Sequence, residues 1–171
     1  LYTAANPHVT SLADDTGELV NLMIEEHGYA VIIALKHGDA AVDIDSYIGR
    51  RIPIHATANG KAMLAHMPEA RVDEILDRRG LPRLTDNTVS TTEALQNELA
   101  SIRAAGVAYD DEERLDSLRC VAAPIVDGDT VLGGVSVSAP TSRMGEDRFR
   151  ETMPEKLENT VELITIDLRY S

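Results

Sequence analysis

The sequence predicts an α+β domain, an antiparallel sheet with helices packed on its faces. Three observations carry this. Apolar runs separated by short turn signals stand at both ends of the chain. A block of apolar residues at helical spacing lies between them, and a last helical stripe of Leu157, Val161, Ile164 and Leu168 follows.

Residues 1–16 are mostly polar, with weak helical spacing in Val9, Leu12 and Ala13. They are expected to be the end of a linker or helix entering from an N-terminal part outside the chain, which opens on Leu1 rather than Met. Gly17 punctuates, and residues 17–171 form the main domain. Leu19 to Ile24 and Tyr29 to Leu35 read as a hairpin with Gly28 at its turn. His37-Gly38-Asp39 makes a second turn. Val42 and Ile44 alternate within a third predicted strand, Ala41 to Tyr47, and Gly49 and Pro53 bracket a short fourth. Thr57 is placed to cap a helix with Ala62 to Ala65 as its apolar part. Pro68 opens the next helix, carried by Val72, Ile75 and Leu76 and ended at Leu81-Pro82. Thr91 or Thr92 caps a third, with Leu95, Leu99 and Ile102 on one face and Gly106 as its stop. Val107 to Tyr109 restarts a strand. Arg119 to Val126 and Val131 to Ser138 form a hairpin across Asp127-Gly128-Asp129, and Pro140 ends it. Pro154 starts or kinks the final helix.

With 171 residues the chain is long enough to bury a full core without disulfide or metal. No apolar run approaches the roughly 20 residues of a membrane span. Asp and Glu number 29 against 16 Lys and Arg, a net charge of −13. Such a surface repels phosphate backbones and anionic lipid, so this chain by itself is expected to bind neither nucleic acid nor membrane. Only Lys36, Lys61 and Lys156 are lysines, Trp is absent and Phe149 is the single Phe. That composition is expected of a salt-adapted cytosolic protein, the alternative being an ordinary acidic bacterial domain. Cys120 is the lone cysteine, which excludes an internal disulfide and fits a reducing cytoplasm. The five histidines show no metal-ligand spacing, and there is no phosphate-binding loop, dinucleotide fingerprint or nucleophile elbow. No cofactor and no metal are expected.

Four features have chemical interest. Thr57-Ala58-Asn59-Gly60-Lys61 opens a helix with small residues, leaving backbone N–H groups able to cradle a carboxylate or phosphate, or simply capping the helix. Asp110-Asp111-Glu112-Glu113 offers carboxylates, although four acids in a row usually form a solvated face. Ser136 and Ser138 lie two apart on a strand and so share one side of the sheet. Cys120 begins an apolar strand; as a nucleophile it would need a base, for which His55 is the candidate. Arg119, next to it, points to the opposite face.

In order and spacing, three segments resemble the IclR-type transcriptional regulators. They are His55-Ala56-Thr57-Ala58-Asn59-Gly60-Lys61-Ala62-Met63-Leu64-Ala65; Asp110 to Arg114 with Leu118-Arg119-Cys120-Val121-Ala122-Ala123-Pro124; and Val135 to Arg143. Thr16-Gly17-Glu18 and Leu84 to Thr88 fit as well. The resemblance covers nearly the whole chain and is to the C-terminal effector-binding domain, the winged helix-turn-helix lying outside it. It implies a GAF-like fold in which a curved antiparallel sheet holds a small-molecule pocket. It places the effector's carboxylate on the amides of Ala58, Asn59 and Gly60, with Asp110, Cys120, Ser136 and Ser138 as pocket residues and Leu118 and Ile52 as apolar walls. Glu112 and Glu113 stay an acidic face. Family members often have small residues before the helix glycine, whereas this chain has Asn59, which narrows the cradle or adds a contact. The implied partners are a small organic acid, a second or further copies in a homodimer or homotetramer, and DNA through the N-terminal domain only. A Cys-dependent enzyme using Cys120 and His55, and a sensor module of another signalling protein, are the competing readings.

Overall fold

A computed structural model describes residues 1–171. Six strands form one antiparallel sheet in the order β3-β2-β1-β6-β5-β4. The strands are β1 (Leu19–Glu26), β2 (Tyr29–His37), β3 (Arg51–Pro53), β4 (Ala108–Asp111), β5 (Leu118–Asp127) and β6 (Thr130–Pro140). The helices are α1 (Tyr2–Thr16), α2 (Ala58–Ala65), α3 (Glu69–Arg79), α4 (Thr92–Ala105) and α5 (Met153–Tyr170). The predicted α+β class is the observed one. No helix is long and apolar enough to cross a membrane.

Strand alternation divides the core into two halves. On one face Val20, Leu22, Val121, Ala123, Val135 and Val137 pack with α1, α5 and Phe149. On the other, Met23, Ile32, Ile52, Leu118, Cys120 and Ala122 pack with α2, α3 and α4. Helix α1 belongs to the first half: Ala5, Val9, Leu12 and Ala13 are buried. Lys156 reaches Asp15 and His8 reaches Asp167, so α1 and α5 run antiparallel.

Local chemistry explains the boundaries. His27 and Gly28 both have positive φ, at 53° and 83°, which is the primed turn a two-residue hairpin needs. Thr57 and Thr91 accept hydrogen bonds from the amides of Gly60 and Ala94, capping α2 and α4. Gly106 closes α4 in the left-handed conformation.

The strand predicted at Ala41 to Tyr47 is not formed; only a bend interrupts an irregular segment there. The free edge of β2 is already taken: Arg51–Pro53 pairs with it, Ile32 donates to the Arg50 carbonyl and Gly49 to that of Ile32. Val42 and Ile44 still pack on the core beneath, so their alternation records one-sided burial without a ladder. A π-helical turn, Arg148–Thr152, precedes α5 and carried no sequence signal.

Candidate functional site

Strand register places the site. Leu19, Ser138, Cys120 and Asp110 form one row across β1, β6, β5 and β4, and Asn21, Ser136, Ala122 and Ala108 form the next. Both rows lie on the α2 side. Asn21, Asn59, Ser138 and Asp110 are at most 1% exposed, Ser136 3%, Leu118 3% and Cys120 5%. The structure therefore brings Asp110, Leu118, Cys120, Ser136 and Ser138 together under α2.

Helix α2 reaches the sheet through Asn59, whose Nδ2 donates to Ser136 Oγ at 2.9 Å. A Cβ at Gly134 would stand 2.6 Å from Asn59 Oδ1, so the glycine makes room for that side chain. Asn59 Oδ1, Asn21 Oδ1 and Asp110 Oδ2 are all buried without a hydrogen-bond partner. Unpaired buried acceptors are costly and uncommon, so three associated with one sheet face mark it as unusual.

The amide cradle needs correcting at one position. Gly60 N–H donates to Thr57 Oγ1 at 2.8 Å, so it is spent on the cap, leaving the first-turn amides of Ala58 and Asn59. Gly60 is required for another reason: a Cβ there would lie 1.8 Å from the Ile54 carbonyl oxygen. Its close approach is to this chain's own backbone.

The acidic segment is also not what its sequence suggested. Glu113 is 7% exposed and both its oxygens accept from Lys61 Nζ, at 2.8 and 2.7 Å. Lys61 is fully buried and also meets Glu98 at 2.5 Å. Burial pushes the Glu113 carboxyl up to about 7, against the pull of Lys61. Glu112 sits at φ 58° and accepts from Ser117 N–H, bracing the turn between β4 and β5. Asp110 Oδ1 accepts from the amides of Glu113 at 2.7 Å and Arg114 at 3.3 Å. Burial raises the Asp110 carboxyl to about 6, the two amides and Lys61 opposing it.

Ser138 Oγ donates to Cys120 Sγ at 3.0 Å. Burial first, and the neighbouring Asp110 second, push the thiol well above its ordinary value. His55 Nε2–H donates to the Pro82 carbonyl at 2.8 Å, and burial lowers its pKa. Cys120 and His55 are thus each bonded elsewhere, and the thiolate a nucleophile needs is disfavoured. Arg119 does turn to the other face, where it pairs with Asp111 and stacks on Phe149.

Ile52 stands on β3, at the opposite edge of the sheet from β4. It nevertheless lines one cleft with Arg114 of the β4–β5 turn, so the sheet curls and brings its edges toward each other. Two site residues escaped the sequence reading. Asn21 is the one polar residue within the apolar run Leu19 to Ile24, and that break was the available signal. Lys61 stood in the helix-opening motif, but nothing in that motif pointed to its buried pairing with Glu113.

Comparison with known proteins accords with this geometry. The profile of the family described as "Bacterial transcriptional regulator IclR C-terminal" matches residues 1–166. The transcriptional regulator BhcR of Paracoccus denitrificans is 37% identical over 166 residues, covering 95% of this chain and 59% of that protein. The chain therefore spans less than two thirds of such relatives. The crystal structure of Thermotoga maritima IclR superimposes with a TM-score of 0.92 at 30% identity, covering 98% of this chain and 68% of that one. An IclR homologue from Microbacterium hydrocarbonoxydans, solved with 4-hydroxybenzoate, gives 0.88 at 28% identity, covering 99% and 68%. The regulator-type relatives, the antiparallel sheet and the polar constellation under α2 agree: this chain belongs to the IclR family of bacterial transcriptional regulators and spans their C-terminal domain.

Proposed function

We propose that the domain binds a small organic acid on the α2 face of its sheet and reports it to a DNA-binding domain that precedes Leu1. The carrying observation is the set of unpaired buried acceptors, Asn21 Oδ1, Asn59 Oδ1 and Asp110 Oδ2, associated with the face that bears Ser136 and Ser138. The ligand's carboxylate rests on the Ala58 and Asn59 amides at the positive end of α2, with the serine hydroxyls beside it. Asp110 repels a carboxylate, so it takes a hydroxyl or hydrated carbonyl at the ligand's far end. A keto, hydroxy or phenolic acid meets both demands, and the structural neighbour holding 4-hydroxybenzoate supports the class. Leu118 and Ile52 supply the walls. The regulator works in the cytoplasm as a homodimer or homotetramer, effector binding shifting the balance between arrangements of the DNA-binding domains. Catalysis has no part in this reading.

A thermal-shift screen of small keto, hydroxy and phenolic acids in high salt tests it, since a ligand of the folded state stabilises by mass action. Calorimetry on the best binder should then show that Ser138→Ala costs roughly 0.5–1.5 kcal/mol of binding. No stabilisation by any acid, or unchanged affinity in Ser138→Ala and Asp110→Asn alike, contradicts the proposal. The chain alone should not retard DNA in a gel.

A further inference from the structure

A cleft of about 350 Å³ opens between the β2–β3 connection, β3 and the β4–β5 turn. Ile52, an apolar wall of the effector site, lines it, so the cleft is the mouth of that site. Arg50, Arg51 and Arg114 stand around it, in a chain with 16 basic residues against 29 acidic. Asp45 is the one acid in the lining; it pairs with Arg50 and its side chain is 81% exposed. Arg51 has no ion pair and lies over the Tyr29 ring at 6.0 Å.

Arg114 is the most buried of the three, at 7% exposed. Its guanidinium makes one hydrogen bond, Nη2 to Ser46 Oγ at 3.1 Å, out of five possible donors. No carboxylate pairs with it. Asp110 spends Oδ1 on the backbone amides of Glu113 and Arg114 and does not reach the guanidinium. Burial pulls the Arg114 pKa down and Arg50 pulls the same way, while Cys120 and Asp110 pull it up. The guanidinium therefore stands in the field of two pocket residues and belongs to the effector site. A buried cation left with one neutral hydroxyl is costly, and a carboxylate is the group that relieves it.

We infer that the effector is a dicarboxylate, a hydroxy or keto acid whose second carboxylate pairs with Arg114 at the mouth of the site. This rests on the effector-site reading above and narrows it. The first carboxylate takes the Ala58 and Asn59 amides, and the hydroxyl or hydrated carbonyl meets Asp110. Arg114 reads what lies beyond that group. Its planar fork holds a carboxylate through two parallel hydrogen bonds, which a methyl or a neutral ring cannot supply. Ser46 steadies the fork from the β2–β3 connection. Arg50 and Arg51 add positive field at the entrance, which favours a doubly charged ligand in a chain whose surface otherwise repels anions. Arg114 is thus a specificity-determining residue of the site.

Calorimetric titration of the whole chain compares acids matched in chain length: malate with 2-hydroxybutanoate, and 2-oxoglutarate with 2-oxopentanoate. Within each pair a terminal carboxylate replaces a methyl and nothing else changes. At least one diacid should bind about tenfold or more tightly than its partner. Arg114→Gln should weaken that diacid about tenfold or more and leave the monoacid unchanged, which the loss of a merely structural arginine would not do. Arg114→Lys, which keeps the charge and gives up the fork, should retain part of the preference. Ser138→Ala should weaken diacid and monoacid alike and keep their ratio. Equal binding of diacid and monoacid by the wild type overturns the inference without any variant, as does failure of both diacids to bind at millimolar concentration. If the monoacids then follow Ser138→Ala, the effector site stands without it. A preference that survives Arg114→Gln overturns it too. Diacid binding indifferent to Ser138→Ala and Asp110→Asn alike removes the effector-site reading and this inference together.

Discussion

The two faces of the sheet are built on opposite terms. Toward α1 and α5, the buried strand residues are apolar throughout: Val20, Leu22, Val121, Ala123, Ile125, Val135, Val137 and Ala139. Toward α2, the alternate residues of β1 and β6 include Asn21, Ser136 and Ser138, β4 adds Asp110, and the helix above contributes Asn59 and Lys61. The first face is a conventional close-packed core. The second buries polar groups whose bonds are incomplete, which costs stability and marks a surface kept for something other than stability. The contrast falls between neighbouring residues of one strand, so single substitutions can test it.

The largest expected effect is at the joint that holds α2 against its own chain. Gly60→Ala drives a Cβ into the Ile54 carbonyl, and backbone cannot yield there. It should cost more than about 4 kcal/mol, enough to prevent folding, as read by urea denaturation. Lys61→Met comes next. It strands the Glu113 carboxylate in the interior and should cost about 3–5 kcal/mol. The double variant with Glu113→Leu should recover most of that loss if the pair, rather than the packing of Lys61, is what matters.

A smaller effect compares the faces directly. Val137→Thr puts a hydroxyl with no partner into the apolar face and should destabilise by about 1–3 kcal/mol. Ser138→Ala, one residue on, removes only the bond to the Cys120 sulfur and should cost less than about 1 kcal/mol. Equal losses at the two positions would break the comparison. Smallest is the effect of salt. Self-repulsion from the −13 charge acts on both faces alike, and we expect a melting temperature that rises from dilute buffer to molar salt. A flat or falling dependence would remove the case for salt adaptation.

Much of this architecture was legible in the sequence because it is set locally. The hairpin turn at Gly28, the caps Thr57 and Thr91 and the stop at Gly106 depend on residues within a few positions of each other. Resemblance to a family then singled out Asp110, Cys120, Ser136 and Ser138, and register puts all four on one face. What escaped depends on distant partners. Whether Ala41 to Tyr47 forms a ladder depends on who occupies the edge of β2. Whether Glu113 is solvated depends on Lys61, 52 residues away in sequence. Whether the Gly60 amide is free depends on the Thr57 rotamer. None of these is written in a period of two or 3.6.

The most direct test of the central claim is Asp110→Asn, measured for both stability and ligand binding. The change keeps the acceptor for the Glu113 and Arg114 amides and removes the buried charge. Asp110 has its ordinary value of 3.8 raised to about 6 by burial, so the folded chain holds its proton where the unfolded chain has lost it. The sign follows: below about pH 4 wild type and variant should be equally stable, and as pH rises to 6 wild type should lose stability relative to the variant. The gap at pH 7 should be on the order of 3 kcal/mol. At pH 7, where the folded wild type carries the ionised carboxylate, the variant should bind the best acid of the keto, hydroxy and phenolic panel about tenfold or more weakly, having lost the charged acceptor for its hydroxyl. A more stable, weaker-binding variant is the result the account predicts. A variant that is destabilised at every pH while binding its acid undiminished would contradict it.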